Sequence, residues 1–153
     1  MNNEKNITLL NGLIETSRDG VEGFKKCAED AHDPKLKAYF QDRARSCEEA
    51  VRTLSEEVRK YGGEPDKSGT VKGALHRVWI DFKTALTSKD NLAVLEECER
   101  AEDVALAAYE DALNEEVPET LRSLITQQLE GVKKNHDRVR QLRVEAENNP
   151  TKA

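Results

Sequence analysis

Carboxylate and imidazole side chains recur on the inner faces of two predicted helices in the second half of the chain. Glu99 and Glu102 lie three residues apart in ECERAEDVALAAY, and His136 lies in VKKNHDRVRQL. At about 100° per residue, Glu102 falls at the centre of an apolar stripe, Glu99 about 60° to its side, and His136 roughly 55° from the centre of its own stripe. A buried carboxylate needs a cation, hydrogen bonds or a metal ion, because leaving it unpaired is costly.

A two-metal site in a helical bundle requires carboxylates that project inward from all four helices. The first half of this chain does not supply them, since Ser17 lies at the centre of the first apolar stripe and Cys47 at the centre of the second. Glu15 and Glu22 in the first segment and Glu49 in the second point toward solvent instead, and Glu48 is marginal. A metal-binding interpretation is therefore limited to iron or manganese in a site with fewer ligands than usual, formed by Glu99, Glu102 and His136.

A cation from the protein is the alternative partner for the acids. Arg43 lies about 40° from the middle of the second stripe, and it is at the height of Glu102 if the second and third long helices run in the same direction. An Arg side chain can hold a carboxylate through two parallel hydrogen bonds. The sequence thus predicts a buried polar layer composed of Arg43, Glu99, Glu102, Lys133, His136 and Ser17.

The apolar periodicity that positions these residues is helical throughout. It predicts four long helices and one shorter amphipathic helix, at about residues 4–31, 34–61, 91–116, 118–146 and 71–86 respectively. Asp33 is a plausible N-cap followed by Pro34 in the first helical turn, and Gly62 with Gly63 is a helix C-cap signal.

Two tight hairpins joined by one long connection indicate an all-α, ferritin-like four-helix bundle. The shorter helix at 71–86 would form the crossover between the second and third long helices. One domain would span residues 1–147, with a frayed tail at 148–153. Trp79, beside the apolar stripe of the crossover helix, could anchor a homodimer.

Bulk composition excludes several classes of protein. Hydrophobic residues make up 37% and charged residues 35% of the 153 residues, which is typical of a solvated helical bundle. The net charge of −6 argues against non-specific binding to nucleic acid. No segment approaches the roughly 20 apolar residues of a membrane span and no signal peptide is recognisable, so we expect a cytoplasmic protein with reduced, buried cysteines.

The stretches ECERAEDVALAAYEDAL and VKKNHDRVRQL resemble the third and fourth helices of rubrerythrin-type ferritin-like proteins. In that family helix 3 carries Glu-x-x-Glu and helix 4 carries Glu-x-x-His, which Glu99, Glu102 and His136 match in part. The sequence departs from the family pattern at several of the remaining ligand positions. Lys133 replaces the Glu of helix 4, Ser17 stands at the helix 1 position, and Ser46 and Glu49 replace the Glu-x-x-His of helix 2.

Residues 6–143 as a whole resemble a bacterial four-helix-bundle family whose name records only unknown function. LIETSRDGVEGFKKCAED, KYGGEP, GALHRVWIDFKTAL and ECERAEDVALAAYEDAL carry this likeness. The resemblance implies a ferritin-like, rubrerythrin-related bundle and does not name a substrate.

Three functions are compatible with the sequence. The first is a non-enzymatic structural or interaction module, which could act in stress physiology and would have no cofactor. The second is a ferritin-like protein that binds iron or manganese at Glu99, Glu102 and His136. The third is a carrier with a small ligand lodged between the two hairpins.

Overall fold

The computed structural model describes residues 3–31, 33–65 and 91–148. Within these ranges the chain forms four α-helices and no strand: α1 (Asn3–Asp30), α2 (Pro34–Lys60), α3 (Asn91–Leu113) and α4 (Glu119–Asn148). The predicted all-α class and the four long helices are confirmed. The predicted crossover helix at 71–86, Trp79 and most of the tail lie outside the described residues.

Local chemistry explains both ends of α2. The Asp33 side chain accepts a hydrogen bond from the backbone N–H of Lys35 at 2.8 Å, and Pro34 occupies the first turn, where its missing N–H is not needed. At the other end Gly62 adopts a φ of 84°, the left-handed conformation that favours glycine after a helix. The N-cap and the C-cap signal are confirmed.

The turn between α3 and α4 is longer than expected, because α3 ends at Leu113 and not near Glu116. The guanidinium of Arg122 donates hydrogen bonds to the backbone carbonyls of Leu113 and Glu115, at 2.9 and 3.1 Å. These carbonyls lack partners within the helix, so a long cation from the next helix stabilises an early ending.

Two hydrophobic clusters of buried side chains, one near each end of the bundle, draw on all four helices. We name the two clusters after the start and the end of α2. The start cluster includes Phe24, Cys27, Tyr39, Phe40, Val94, Leu95 and Val139. The end cluster includes Leu10, Ile14, Leu54, Val58, Tyr109, Ala112, Leu121 and Ile125. The first halves of α2 and α3 belong to the start cluster and their second halves to the end cluster, whereas α1 and α4 show the reverse order. Consequently α2 and α3 run in the same direction, antiparallel to α1 and α4.

The contacts between helices define a square arrangement. α1 packs along α2, α3 packs along α4, and α1 also contacts α3. A surface ion pair between Arg138 and Asp42 (3.2 Å) links α4 to α2. Each of these four helix pairs forms one side of the square. α2 and α3 are therefore diagonally opposite, and a contact between them crosses the centre of the bundle.

The buried face of α3 is only partly the predicted one. Glu102 is buried as expected, and Leu95 and Tyr109 are buried on the same face, but Leu92 and Leu106, which continue the same spacing of three and four residues, are half-buried. The remaining buried positions are Val94 and three small residues, namely Cys98, Ala101 and Ala112. Small side chains allow neighbouring helices to approach closely, which widens the buried arc beyond the stripe of large apolar residues. In the described parts of the chain, no helix has the length and apolarity required to traverse a bilayer.

Candidate functional site

A buried ion pair joins α2 to α3 across the centre of the bundle. Arg43 donates from Nε to Glu102 Oε2 at 2.7 Å and from Nη2 to Oε1 at 2.9 Å, which is a bidentate arrangement. Tyr39, one turn before Arg43 on α2, donates its hydroxyl to Glu102 Oε2 at 2.8 Å. The carboxylate therefore accepts three hydrogen bonds, one of which comes from a residue outside the predicted layer.

Burial makes this pair different from a surface salt bridge. The side chains of Arg43 and Glu102 are only 6% and 1% exposed. Burial alone would lower the pKa of Arg43, but the adjacent Glu102 carboxylate raises that pKa above its ordinary value, so the guanidinium stays charged. Burial, assisted by the same carboxylate, raises the pKa of Tyr39 well above its usual range and keeps the phenol as a donor.

Aromatic rings complete the surroundings of the pair. The Arg43 guanidinium lies 5.1 Å from the centroid of the Phe24 ring, within the range of a cation–π interaction. Phe24 also packs edge-on against Tyr39, with ring centroids 6.1 Å apart. The guanidinium is thus fixed by Glu102 at its edge and by Phe24 on its face.

The other members of the predicted layer do not join this pair. His136 is bound by Asp103, with Nε2 2.6 Å from Oδ1, and the ring nitrogen must be the donor because a carboxylate only accepts. Glu99 is half-buried and accepts from Arg143 Nε. Lys133 is exposed. The physical reason is the rotation of α3 about its own axis. Glu99 and Asp103 project toward α4 near the surface of the bundle, where water reaches them.

The donor set does not fit a metal ion. In the described residues, Glu99, Glu102 and His136 do not converge, and no group of three or more His, Cys, Asp or Glu side chains has the geometry to hold a cation. Each of the three predicted ligands already has a partner on another helix: Glu102 contacts Arg43, His136 contacts Asp103, and Glu99 contacts Arg143. A metal ion at Glu102 would have to displace the Arg43 guanidinium and leave this buried cation without its bidentate partner.

A second polar contact lies toward the other end of the bundle. The Tyr109 hydroxyl donates to Gln128 Oε1 at 2.8 Å, joining α3 to α4. Burial raises the pKa of Tyr109 to about 12, although a hydrogen bond with the Ser17 hydroxyl opposes the shift. Ser17 is buried, as the helix 1 pattern predicts.

A cavity of about 320 Å³ separates the two polar contacts. Its floor includes the buried residues Arg43, Glu102, Ser17 and Tyr109. The exposed lining residues lie on α2 and α4, so the cavity opens to solvent between these two helices; they are Ser46, Glu49, Gln127 and Gly131. All four helices contribute to the wall, and most of the wall is apolar. Three residues of the predicted polar layer, Arg43, Glu102 and Ser17, therefore line a space that the sequence pattern alone did not reveal.

The three cysteines are buried and free of disulfides, which confirms the expectation of reduced thiols. Burial raises the pKa of Cys47 and raises that of Cys98 still more strongly. Both thiols are therefore held in the neutral form, which is a poor nucleophile.

Tyr39, Gln128 and Arg143 are among the site residues whose roles the sequence prediction did not assign. Tyr39 precedes Arg43 by four residues, so the same helical spacing that selected Arg43 places it on the same face. Arg143 follows His136 by two turns on α4 in the same way. Helical spacing could have found these residues, but it does not say which side chains meet across the bundle.

Comparison with protein-family models gives a match that covers most of the chain. The model of a domain of unknown function, DUF2383, matches residues 5–115. No curated protein matches the sequence at a significant level. The matched region contains α1, α2 and α3, including both partners of the central ion pair. The chain belongs to the DUF2383 family of domains of unknown function.

Proposed function

We propose that this protein is a non-enzymatic structural or interaction module of the ferritin-like, rubrerythrin-related type, in which an ion pair replaces the metal centre. The single observation that carries this proposal is the bidentate contact of Arg43 with Glu102 at the middle of the bundle. That is the level at which metal-binding bundles of this type place their carboxylates.

The direction of the helices supports the ferritin-like assignment. Parallel α2 and α3 require a connection that returns along the whole bundle, which is the single crossover of ferritin-like folds. The chain between Lys60 and Asn91 connects these two helices in the sequence. Two tight hairpins on either side are consistent with the same plan.

The charge on the molecule guides the choice of partner. The net charge of −6 would repel the phosphate backbone of a nucleic acid. We therefore propose a cytoplasmic module that acts through contact with protein, a second copy of this chain included.

Metal analysis tests the proposal directly. The protein would be expressed with added iron and manganese and purified without a His tag or chelator. We expect far less than one metal ion per chain, because Arg43 already neutralises Glu102. Glu102→Ala and the control Glu110→Ala, which removes an exposed acid from the same helix, should not differ in metal content. Near-stoichiometric metal that is lost in Glu102→Ala and kept in Glu110→Ala would contradict the proposal and restore the iron or manganese hypothesis.

Carriage of a small molecule is a second candidate function, and the cavity between α2 and α4 favours it. A volume of about 320 Å³ with a mouth open to solvent is at the lower end of the range of small-molecule sites. The ion pair and the cavity are compatible, since a bundle held together at its centre can still bind a ligand beside that centre.

A further inference from the structure

We infer that the cavity between α2 and α4 binds an uncharged small molecule with a flat apolar body and an amide or hydroxyl group. The inference rests on the second candidate function and adds the chemical class of the ligand. It follows from the size of the lining residues, the kind of polar group at the rim and the balance of charge at the floor.

Small side chains create the space. Small residues on three helices leave this space unfilled: Ala50, Ala101 and Ala105 are buried or half-buried on its wall, and Gly131 lies at its exposed mouth. Side chains around an unfilled space lose dispersion contacts on one side. A flat apolar ligand lying between the two adjacent helices would restore these contacts.

Neutral polar groups dominate the rim on α4. Gln127, Gln128 and Asn135 line the cavity and bring carboxamide groups, each with donor and acceptor capacity. The hydrogen bond from Tyr109 to Oε1 fixes the orientation of the Gln128 amide. Amide groups at such positions exchange hydrogen bonds with amides and hydroxyls of a ligand.

The charges around the cavity disfavour an ionised ligand. Arg43 and Glu102 at the floor satisfy each other through two hydrogen bonds. Glu49 is at the exposed mouth, where water and salt screen it. An ion entering the cavity would lose hydration without gaining a buried countercharge, which is unfavourable.

Gly131 offers a way to close the cavity without disturbing the fold. It lies within α4 and lines the cavity, and a Cβ atom placed on it would meet no atom within 4 Å. A leucine at this position would extend into the open space and would also favour the helix. Gly12 on α1 has the same open surroundings but does not line this cavity, so Gly12→Leu is a matched control.

The test uses three planar probes of matched size: neutral benzamide, anionic benzoate and cationic benzamidine. Each is titrated into the isotopically labelled full-length protein while amide resonances are followed by NMR. We expect saturable shifts with benzamide, centred on the backbone of Ala105 and Gly131 and the side-chain amides of Gln128 and Asn135. Benzoate and benzamidine should bind at least about tenfold more weakly. Gly131→Leu should abolish the benzamide shifts and Gly12→Leu should preserve them.

The outcomes separate the inference from the function on which it rests. Tighter binding of benzoate or benzamidine at the same residues, lost in Gly131→Leu, would overturn the neutral class and leave the carrier function standing. Absence of saturable shifts with all three probes, or equal binding to Gly131→Leu, would overturn both. Folded spectra of both leucine variants without a probe exclude unfolding as the cause of lost binding.

Discussion

At the residue scale, Arg43 and Glu102 should contribute to the free energy of unfolding jointly. Glu102→Leu leaves the Arg43 guanidinium buried, at 6% exposure, without a counterion. Arg43→Met likewise leaves the buried Glu102 carboxylate without a counterion. Each substitution should lower the free energy of unfolding by about 3–5 kcal/mol. The triple variant Arg43→Met, Glu102→Leu, Tyr39→Phe removes every polar partner and should cost less than either single change. Urea unfolding of the four proteins measures these differences. If the triple variant lost as much free energy of unfolding as the two single variants together, this result would contradict coupling between Arg43 and Glu102.

Tyr109 makes a pH-dependent contribution, also at the residue scale. Burial raises the pKa of Tyr109 to about 12, against about 10 in the unfolded chain. Between these values the unfolded state has released the proton and the folded state still holds it. The contribution is therefore complete below pH 10 and is lost as pH rises toward 12, by about 2–3 kcal/mol.

The difference between the wild type and Tyr109→Phe isolates this effect from other groups that titrate at high pH. The free energy of unfolding would be measured for both proteins at a series of pH values from about 9 upward. We expect the free energy of unfolding of the wild type to decrease, relative to that of Tyr109→Phe, as the pH rises toward 12, because phenylalanine has no proton to lose. A constant difference would show that Tyr109 ionises equally in both states.

At the element scale, the close approach of α1 and α2 depends on Gly20. A Cβ atom at this position would lie 2.7 Å from Cys47 Sγ, so Gly20→Ala should destabilise the protein by about 1–3 kcal/mol despite the better helix propensity of Ala. Gly12→Ala is the control, because it meets open space and should be neutral or stabilising. Thermal and urea unfolding measure both.

A compensating change distinguishes the proposed clash from a general sensitivity of α1. In a Cys47→Ala background the sulfur is absent, and Gly20→Ala should then cost less than it does in the wild type. Equal costs in the two backgrounds would mean that the Cβ meets a different obstacle. The same helix thus provides one glycine required by packing and one that is not.

At the scale of the whole molecule, the two hairpins should open together. The start cluster and the end cluster both contain side chains from all four helices, so neither hairpin retains a core when the other leaves. Native-state hydrogen exchange should give similar opening free energies for the buried amides of α1–α2 and α3–α4, close to the global value. Markedly lower values confined to α3 and α4 would contradict this cooperative unit.

Much of this architecture is encoded locally, and the sequence therefore predicts it. The helical period selects the four long helices, Asp33 with Pro34 starts α2, and Gly62 ends it. The position of Arg43 and Glu102 on inward faces follows from the same period. These features depend on residues a few positions apart, whose relation is fixed by the geometry of the helix itself.

Only the tertiary structure decides which inward side chains meet. Helix rotation and height set whether Glu102 contacts Arg43 or His136, and a shift of a few tens of degrees assigns His136 to Asp103 and Glu99 to Arg143. The cavity is likewise a property of four helices at once, since no single stripe shows that small residues coincide at one level. The sequence by itself determined the helices and their polar interior, whereas long-range packing decided the ion pair's partners and the space beside it.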